Sequence, residues 1–165
     1  MKKGFTLIEL LAVVAILGIL STIVINYVGK SRSSAAFARA QIEFKSIATA
    51  IELYTEDNGG VFPADVNRGL PPGIEVYLSG GEWPNAPWSG SVYDWDNFTD
   101  PDTGETIMQV SVRFCPLNHS ELCKFPPEPW AANFDYYSSV YYCLQGRCRS
   151  HSSKPINHPG YCINC

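Results

Sequence analysis

Glu9 is the only acidic residue in the first 42 positions, and it stands at the head of an apolar run that reaches Gly29. From Leu10 to Gly29 there is no charge. As a helix that stretch covers about 30 Å, the thickness of a bilayer's hydrocarbon core. A lone carboxylate at the centre of that core costs roughly 3 kcal/mol or more. A helix that only anchored the chain would carry Leu or Val there instead. A carboxylate kept in apolar surroundings requires a cation or donors beside it, and the nearest candidate is an amine. A conventional secretory signal does not fit, because its apolar region runs about 7–15 residues and ends at a small-residue cleavage site.

The order Lys2-Lys3-Gly4-Phe5-Thr6-Leu7-Ile8-Glu9-Leu10, followed by the long apolar run, resembles the type IV pilin and type II secretion pseudopilin family. The resemblance implies a prepilin peptidase that cuts between Gly4 and Phe5 and N-methylates Phe5, and an assembly role for Glu9. Cutting there would leave an α-amine four residues from Glu9, about 6 Å along a helix axis. In a filament the amine of one copy would meet the carboxylate of its neighbour. Such a head-to-tail contact does not close, so it builds a helical fibre. The family's usual helix-kinking proline is missing: Asn26 stands in that neighbourhood, Gly18 is the only glycine before the span's end at Gly29, and no proline precedes Pro63.

The resemblance divides the chain into a leader (1–4), a membrane and assembly segment (5–29) and an outer domain (30–165). Lys2 and Lys3 place the N-terminus in the cytoplasm. The expected location is the bacterial inner membrane, single-pass, with the outer domain periplasmic or extracellular and the helix withdrawn into a filament on assembly. Lys30 and Arg32 run against the charge rule, a conflict that extraction of the helix resolves. The expected partners are the peptidase, the inner membrane and other pilin or pseudopilin subunits.

All six cysteines, Cys115, Cys123, Cys143, Cys148, Cys162 and Cys165, lie in the last third of the chain. An even cluster outside the cytoplasm reads as disulfides, with 15 possible pairings. Close spacing favours Cys115–Cys123 and Cys143–Cys148. A bridge across the three-residue step Cys162–Cys165 needs a tight turn, and a bond from either residue back to the sheet would pin the tail better. Two alternatives use the same residues. One is zinc on Cys143, Cys148, Cys162 and Cys165 with His151 and His158 nearby; the other is a redox pair at Cys162 and Cys165.

Asp94, Asp96, Asp100, Asp102 and Glu105 crowd one stretch with the oxygen density that Ca²⁺ takes. Related pseudopilins bind calcium in a loop of their sheet region, so the resemblance makes calcium a candidate cofactor. The spacing is not that of an EF-hand, and Asp100-Pro101-Asp102-Thr103-Gly104 is also a good turn. No other cofactor is expected. Nothing places a nucleophile beside a base, so the chain is not expected to be an enzyme. From Ile51 onward 14 acidic residues face 6 basic ones, yet from Tyr136 there is no acid. The basic tail with Arg147, Arg149 and Lys154 suits an anionic ligand or an acidic neighbour.

The positioning elements follow from periodicity. Phe37, Ala40, Phe44, Ile47, Ile51 and Tyr54 form one helical stripe. The helix should end at Asp57-Asn58-Gly59-Gly60. Strands are expected at 92–98, at 108–114 as a half-buried strand, and at 134–144, with a coil for the last 20 residues. Trp83, Trp88, Trp95 and Trp130 fit core packing better than a ligand groove. The fold expected is α+β and pilin-like: a long N-terminal helix, membrane-spanning in its first half, packed on a small antiparallel sheet with a disulfide-rich C-terminal region. Its function would be a filament subunit. The alternative is a monomeric membrane-anchored protein whose cysteine-rich end binds a ligand.

Overall fold

The structure is a computed structural model and describes residues 6–165. Gly4 and Phe5, with the rest of the leader, lie outside the described residues. Helix α1 runs unbroken over Leu7–Asp57, as a stretch without proline allows. It stops where the sequence supplies its cap. Asn58 N–H donates to Tyr54 O at 3.0 Å and Gly60 N–H to Thr55 O at 2.8 Å. Gly59 and Gly60 take φ of 68° and 89°, a region open to glycine at little cost.

Contacts divide the chain at Ala35/Ala36. In the first unit the apolar side chains stand free: Leu10, Val14, Leu17 and Leu20 are more than half exposed. The hydroxyls of Ser21 and Thr22 bond to the helix itself, Ser21 to Leu17 O and Thr22 to Ile19 O, each at 2.7 Å. Neither hydroxyl needs water, which suits an apolar surrounding.

The second unit, Ala36–Cys165, is a small α+β domain of pilin-like arrangement. Its sheet has the order β1-β2-β3-β4, with β1 Val92–Thr99, β2 Thr106–Arg113, β3 Ser139–Gln145 and β4 Tyr161–Cys162. The first three strands are antiparallel, and β4 joins β3 in parallel. One sheet face carries Tyr93, Trp95, Val110, Val112 and Val140, and these meet the α1 stripe of Ala40, Phe44, Ile47 and Ile51; all nine are fully buried. Phe44 stands edge-on to Tyr93, with centroids 5.3 Å apart. The four tryptophans belong to or pack against this core, so the aromatic set is structural.

Three expectations need correction. Strand β3 starts at Ser139 rather than Phe134, because Asp135 and Ser138 bond to each other's backbone and close a turn. The last 20 residues are not all coil: β4 pairs with β3, and the Asn164 side chain both accepts from Cys143 N and donates to Cys143 O, at 2.8 and 2.7 Å. Strand β2 is buried on both faces from Ile107 onward. Its polar face is covered by residues 148–151, a covering that alternation along the strand cannot report.

Phe44→Ala should cost about 3–5 kcal/mol, the usual loss for a fully buried phenylalanine, whereas exposed Lys45→Ala should stay within about 0.5 kcal/mol. Urea unfolding of the full chain in detergent checks this. A Phe44→Ala variant as stable as the parent would mean that the stripe does not carry the core.

Candidate functional site

Glu9 sits one turn into α1. Its Oε2 accepts from the Thr6 backbone N–H at 2.8 Å and from the Thr6 hydroxyl at 2.7 Å, while Glu9 N–H donates back to Thr6 Oγ1 at 3.4 Å. This is a capping box, Thr-x-x-Glu, in which two otherwise orphaned backbone donors are satisfied reciprocally. The spacing of Thr6 and Glu9 carries that signature in the sequence itself. The carboxylate therefore has a local task, capping the helix.

The second concentration of chemistry is the polar face of the sheet. Cross-strand register sets Asp94 opposite Ser111 and Asp96 opposite Gln109, with Arg113 at the end of β2. Arg113 Nε donates to Asp94 Oδ2 at 2.9 Å, Nη2 to Asp96 Oδ1 at 2.8 Å and Nη1 to Ser150 O at 2.6 Å. Gln109 and Ser111 both donate to Asp96 Oδ2. Burial works against the charge on Arg113, and the attraction of Asp96 and Asp94 outweighs it, so its pKa lies above the ordinary value. Burial and then repulsion from Asp96 push Asp94 upward, with Arg113 pulling against them.

The C-terminal segment is tied to this face through its backbone. Gln109 donates to Arg149 O at 2.7 Å and accepts from Arg149 N–H at 3.1 Å; Ser139 Oγ donates to Ser150 O at 2.9 Å. Gly160 packs so closely that a Cβ there would come within 2.7 Å of Ser150 Cβ. Arg149, 1% exposed, places its guanidinium on Asp100 and on Asp102. Burial opposes the charge on Asp100, but the amides of Asp102 and Thr103 and the Arg149 guanidinium prevail and hold its pKa below the usual range.

The expectation for the basic tail is thereby corrected. The acidic partner of Arg149 is the Asp100–Asp102 turn of its own chain, and Lys154 Nζ lies 4.0 Å from the centre of the Tyr137 ring. Of the three basic residues only Arg147 is exposed. The five acids considered for calcium are also distributed by the fold. Asp94 and Asp96 serve Arg113, Asp100 and Asp102 serve Arg149, and Glu105 is exposed beyond the turn. Among the described residues no group of three or more His, Cys, Asp or Glu side chains is placed to hold a metal ion.

All six cysteines are bridged: Cys115–Cys123, Cys143–Cys148 and Cys162–Cys165. The zinc reading has no thiolate left to use. The two pairs that close spacing favours are present, and the remaining two cysteines bridge to each other rather than back to the sheet, where β4 and Asn164 already hold that end.

Beside Arg113 opens a pocket of about 200 Å³, lined among others by Asp65, Arg68, Phe98, Leu117, Tyr136 and His151. Asp65 lies at its exposed rim. Partial burial, then repulsion from Asp96 and Asp94, push its pKa up to about 6. Burial, then repulsion from Arg113, take His151 down to about 4, so its ring is neutral at pH 7. Sequence reasoning missed this pocket, since its residues come from five separate segments.

Comparison with known proteins agrees with the N-terminal motif. The family described as "Prokaryotic N-terminal methylation motif" matches residues 1–25. The chain is similar to the type II secretion system core protein G of Pseudomonas aeruginosa, 42% identical over 57 residues, which is 34% of this chain and 40% of that protein. It is similar to the fimbrial protein EcpC of Eikenella corrodens, 43% identical over 68 residues, or 39% of this chain and 41% of that one. A type II secretion system core protein G of Klebsiella michiganensis is 25% identical over 99 residues, 54% of this chain and 70% of the relative. The chain thus spans about two-fifths of the length of the first two relatives. No solved structure matches it.

Arg113→Ala would leave two buried carboxylates without their cation and should cost about 3–5 kcal/mol. Arg149→Ala should also lower the urea midpoint, while Arg147→Ala should stay within about 0.5 kcal/mol. Equal stability of all three variants would show that the polar face is open to water. Asp65 binds its proton more tightly folded than unfolded, since its ordinary value is 3.8. Its ionised form therefore weakens the fold above about pH 6, and the effect fades as pH falls from 6 towards 4. Asp65→Asn should raise stability at pH 7.5 and leave it nearly unchanged at pH 4, read as paired melting curves.

Proposed function

We propose that the chain is a structural subunit of a type IV pilus or type II secretion pseudopilus, processed by a prepilin peptidase and polymerised through the first half of α1. The observation that carries this reading is the exposed apolar half-helix headed by Glu9. Nothing in its own contact unit covers it, and helices of this composition are stable only in lipid or against other apolar helices. The methylation motif over residues 1–25 and the names of the relatives support the same reading. In it, Gly4 and Phe5 flank the cut, Phe5 carries the methyl group, and Glu9 receives the neighbour's amine.

The capping box gives a sharp test, because glutamine keeps the cap and loses the charge. Glu9→Gln should insert in the inner membrane at parental levels and be excluded from filaments, as should Glu9→Val. Sheared filament fractions and membrane fractions, probed together, read this out. Incorporation of Glu9→Gln at parental levels would mean that Glu9 is only a cap. Mass spectrometry of the mature chain should find methylated Phe5 first, and an intact Met1 in filaments would contradict the processing step.

A further inference from the structure

Two stretches of the chain spell Asn-x-Ser/Thr with x other than proline: Asn97-Phe98-Thr99 and Asn118-His119-Ser120. That spacing marks an acceptor for N-linked sugar where the asparagine stands on an accessible loop outside the cytoplasm. The fold separates the two. Asn97 lies within β1, opposite Met108, and its side-chain amide already donates to Pro63 O at 2.9 Å. Asn118 lies in the loop that the Cys115–Cys123 bridge closes, where residues 116–122 are all exposed. His119 N–H donates to Pro116 O at 3.2 Å, which makes Asn118 the third residue of a turn, with φ 63°. Such a turn accounts for an asparagine or a glycine at that position. It does not account for Ser120. Among the described residues neither the Asn118 side-chain amide nor the Ser120 hydroxyl has a hydrogen-bond partner.

We propose that Asn118 is a site of N-glycosylation, with Ser120 as the hydroxyl that the transferase reads. The loop is presented for it: the Tyr136 hydroxyl accepts from Asn118 backbone N–H at 2.8 Å and fixes the turn while leaving the side chain in solvent. Beside the acceptor opens a hollow of about 370 Å³ lined by Asn118, Ser120, Tyr136 and Tyr137. The two rings stand nearly at right angles, with centroids 5.2 Å apart. A sugar ring has C–H faces and a hydroxyl rim, and tyrosines offer an apolar body and a polar tip to match. A disulfide-closed loop belongs to an oxidising compartment, so the donor is a saccharide on a polyprenyl pyrophosphate. The Asn118 amide nitrogen bonds to the anomeric carbon, and the C–O bond to pyrophosphate breaks. The polyprenyl pyrophosphate leaves with the electron pair, and one amide proton passes to the transferase's base. The site lies wholly within the second contact unit, so it holds for a filament subunit and for a monomer alike.

The test is electron-transfer mass spectrometry of tryptic peptides from the full chain, purified from the cells that naturally make it. Cleavage after Arg113 puts the two motifs on different peptides. The peptide of residues 114–124 should carry the mass of at least one sugar, located on Asn118, and the Asn97 peptide should carry none. Ser120→Ala keeps Asn118 and its turn and should abolish the modification. Asn118→Asp, which tolerates the left-handed backbone, should abolish it too, and Asn97→Gln should leave it in place. The proposal is overturned if the 114–124 peptide of the parent is unmodified, or if the sugar sits on Asn97 or on Ser120 Oγ. Sugar retained on Asn118 in Ser120→Ala overturns it equally.

Discussion

An apolar helix surface with nothing among the described residues of its own unit to cover it sets the terms for this molecule. The side chains of the first half of α1 that the structure describes are largely exposed, and the Ser21 and Thr22 hydroxyls bond inward to the helix backbone. Water is a poor solvent for such a surface, at roughly 25 cal/mol for each Å² of apolar area left uncovered. The segment therefore suits lipid or a bundle of its own kind. Leu10–Gly29 adds to this by carrying no charge at all. The core of the second unit is filled by the second half of α1 and one face of the sheet.

The other sheet face answers a different constraint. Three polar residues of β2, Gln109, Ser111 and Arg113, point away from the helix, and the chain buries them instead of leaving them in water. Burial is tolerable because each polar group finds a partner, and many of the partners are backbone atoms of Arg149 and Ser150. The ion-pair network is thus also the fastening for the C-terminal segment. Disulfides shorten the loops on either side of it, and a bridge commonly contributes about 2–4 kcal/mol by restricting the unfolded chain. Covalent and ionic ties act together on a tail too short to form a core of its own.

Much of this was legible in the residues. The helical stripe, the Asn58-Gly59-Gly60 stop and the alternation around β2 follow from local periods, and local periods survive folding. The two close cysteine pairs follow from spacing. What escaped depends on contacts distant in sequence. Arg149 reads as a basic tail residue because its acids, Asp100 and Asp102, lie 49 and 47 positions earlier. Strand β2 reads as half-buried because alternation separates two faces but says nothing about what covers each. A two-residue strand such as β4 has no period to detect. Thr6 and Glu9 are the exception: their capping spacing is purely local, and it was overshadowed by the question of what a carboxylate does in a membrane.

The central claim is that the first half of α1 is buried against copies of itself. A photo-crosslinking amino acid placed at Ile16 in the full chain, in cells that assemble filaments, tests it most directly. The account predicts a ladder of covalent products at integral multiples of the chain mass from Ile16, and no such ladder from exposed Glu52 in membranes that lack filaments. Illumination at Ile16 that yields only monomer and lipid adducts, in fractions that contain filaments, would contradict it.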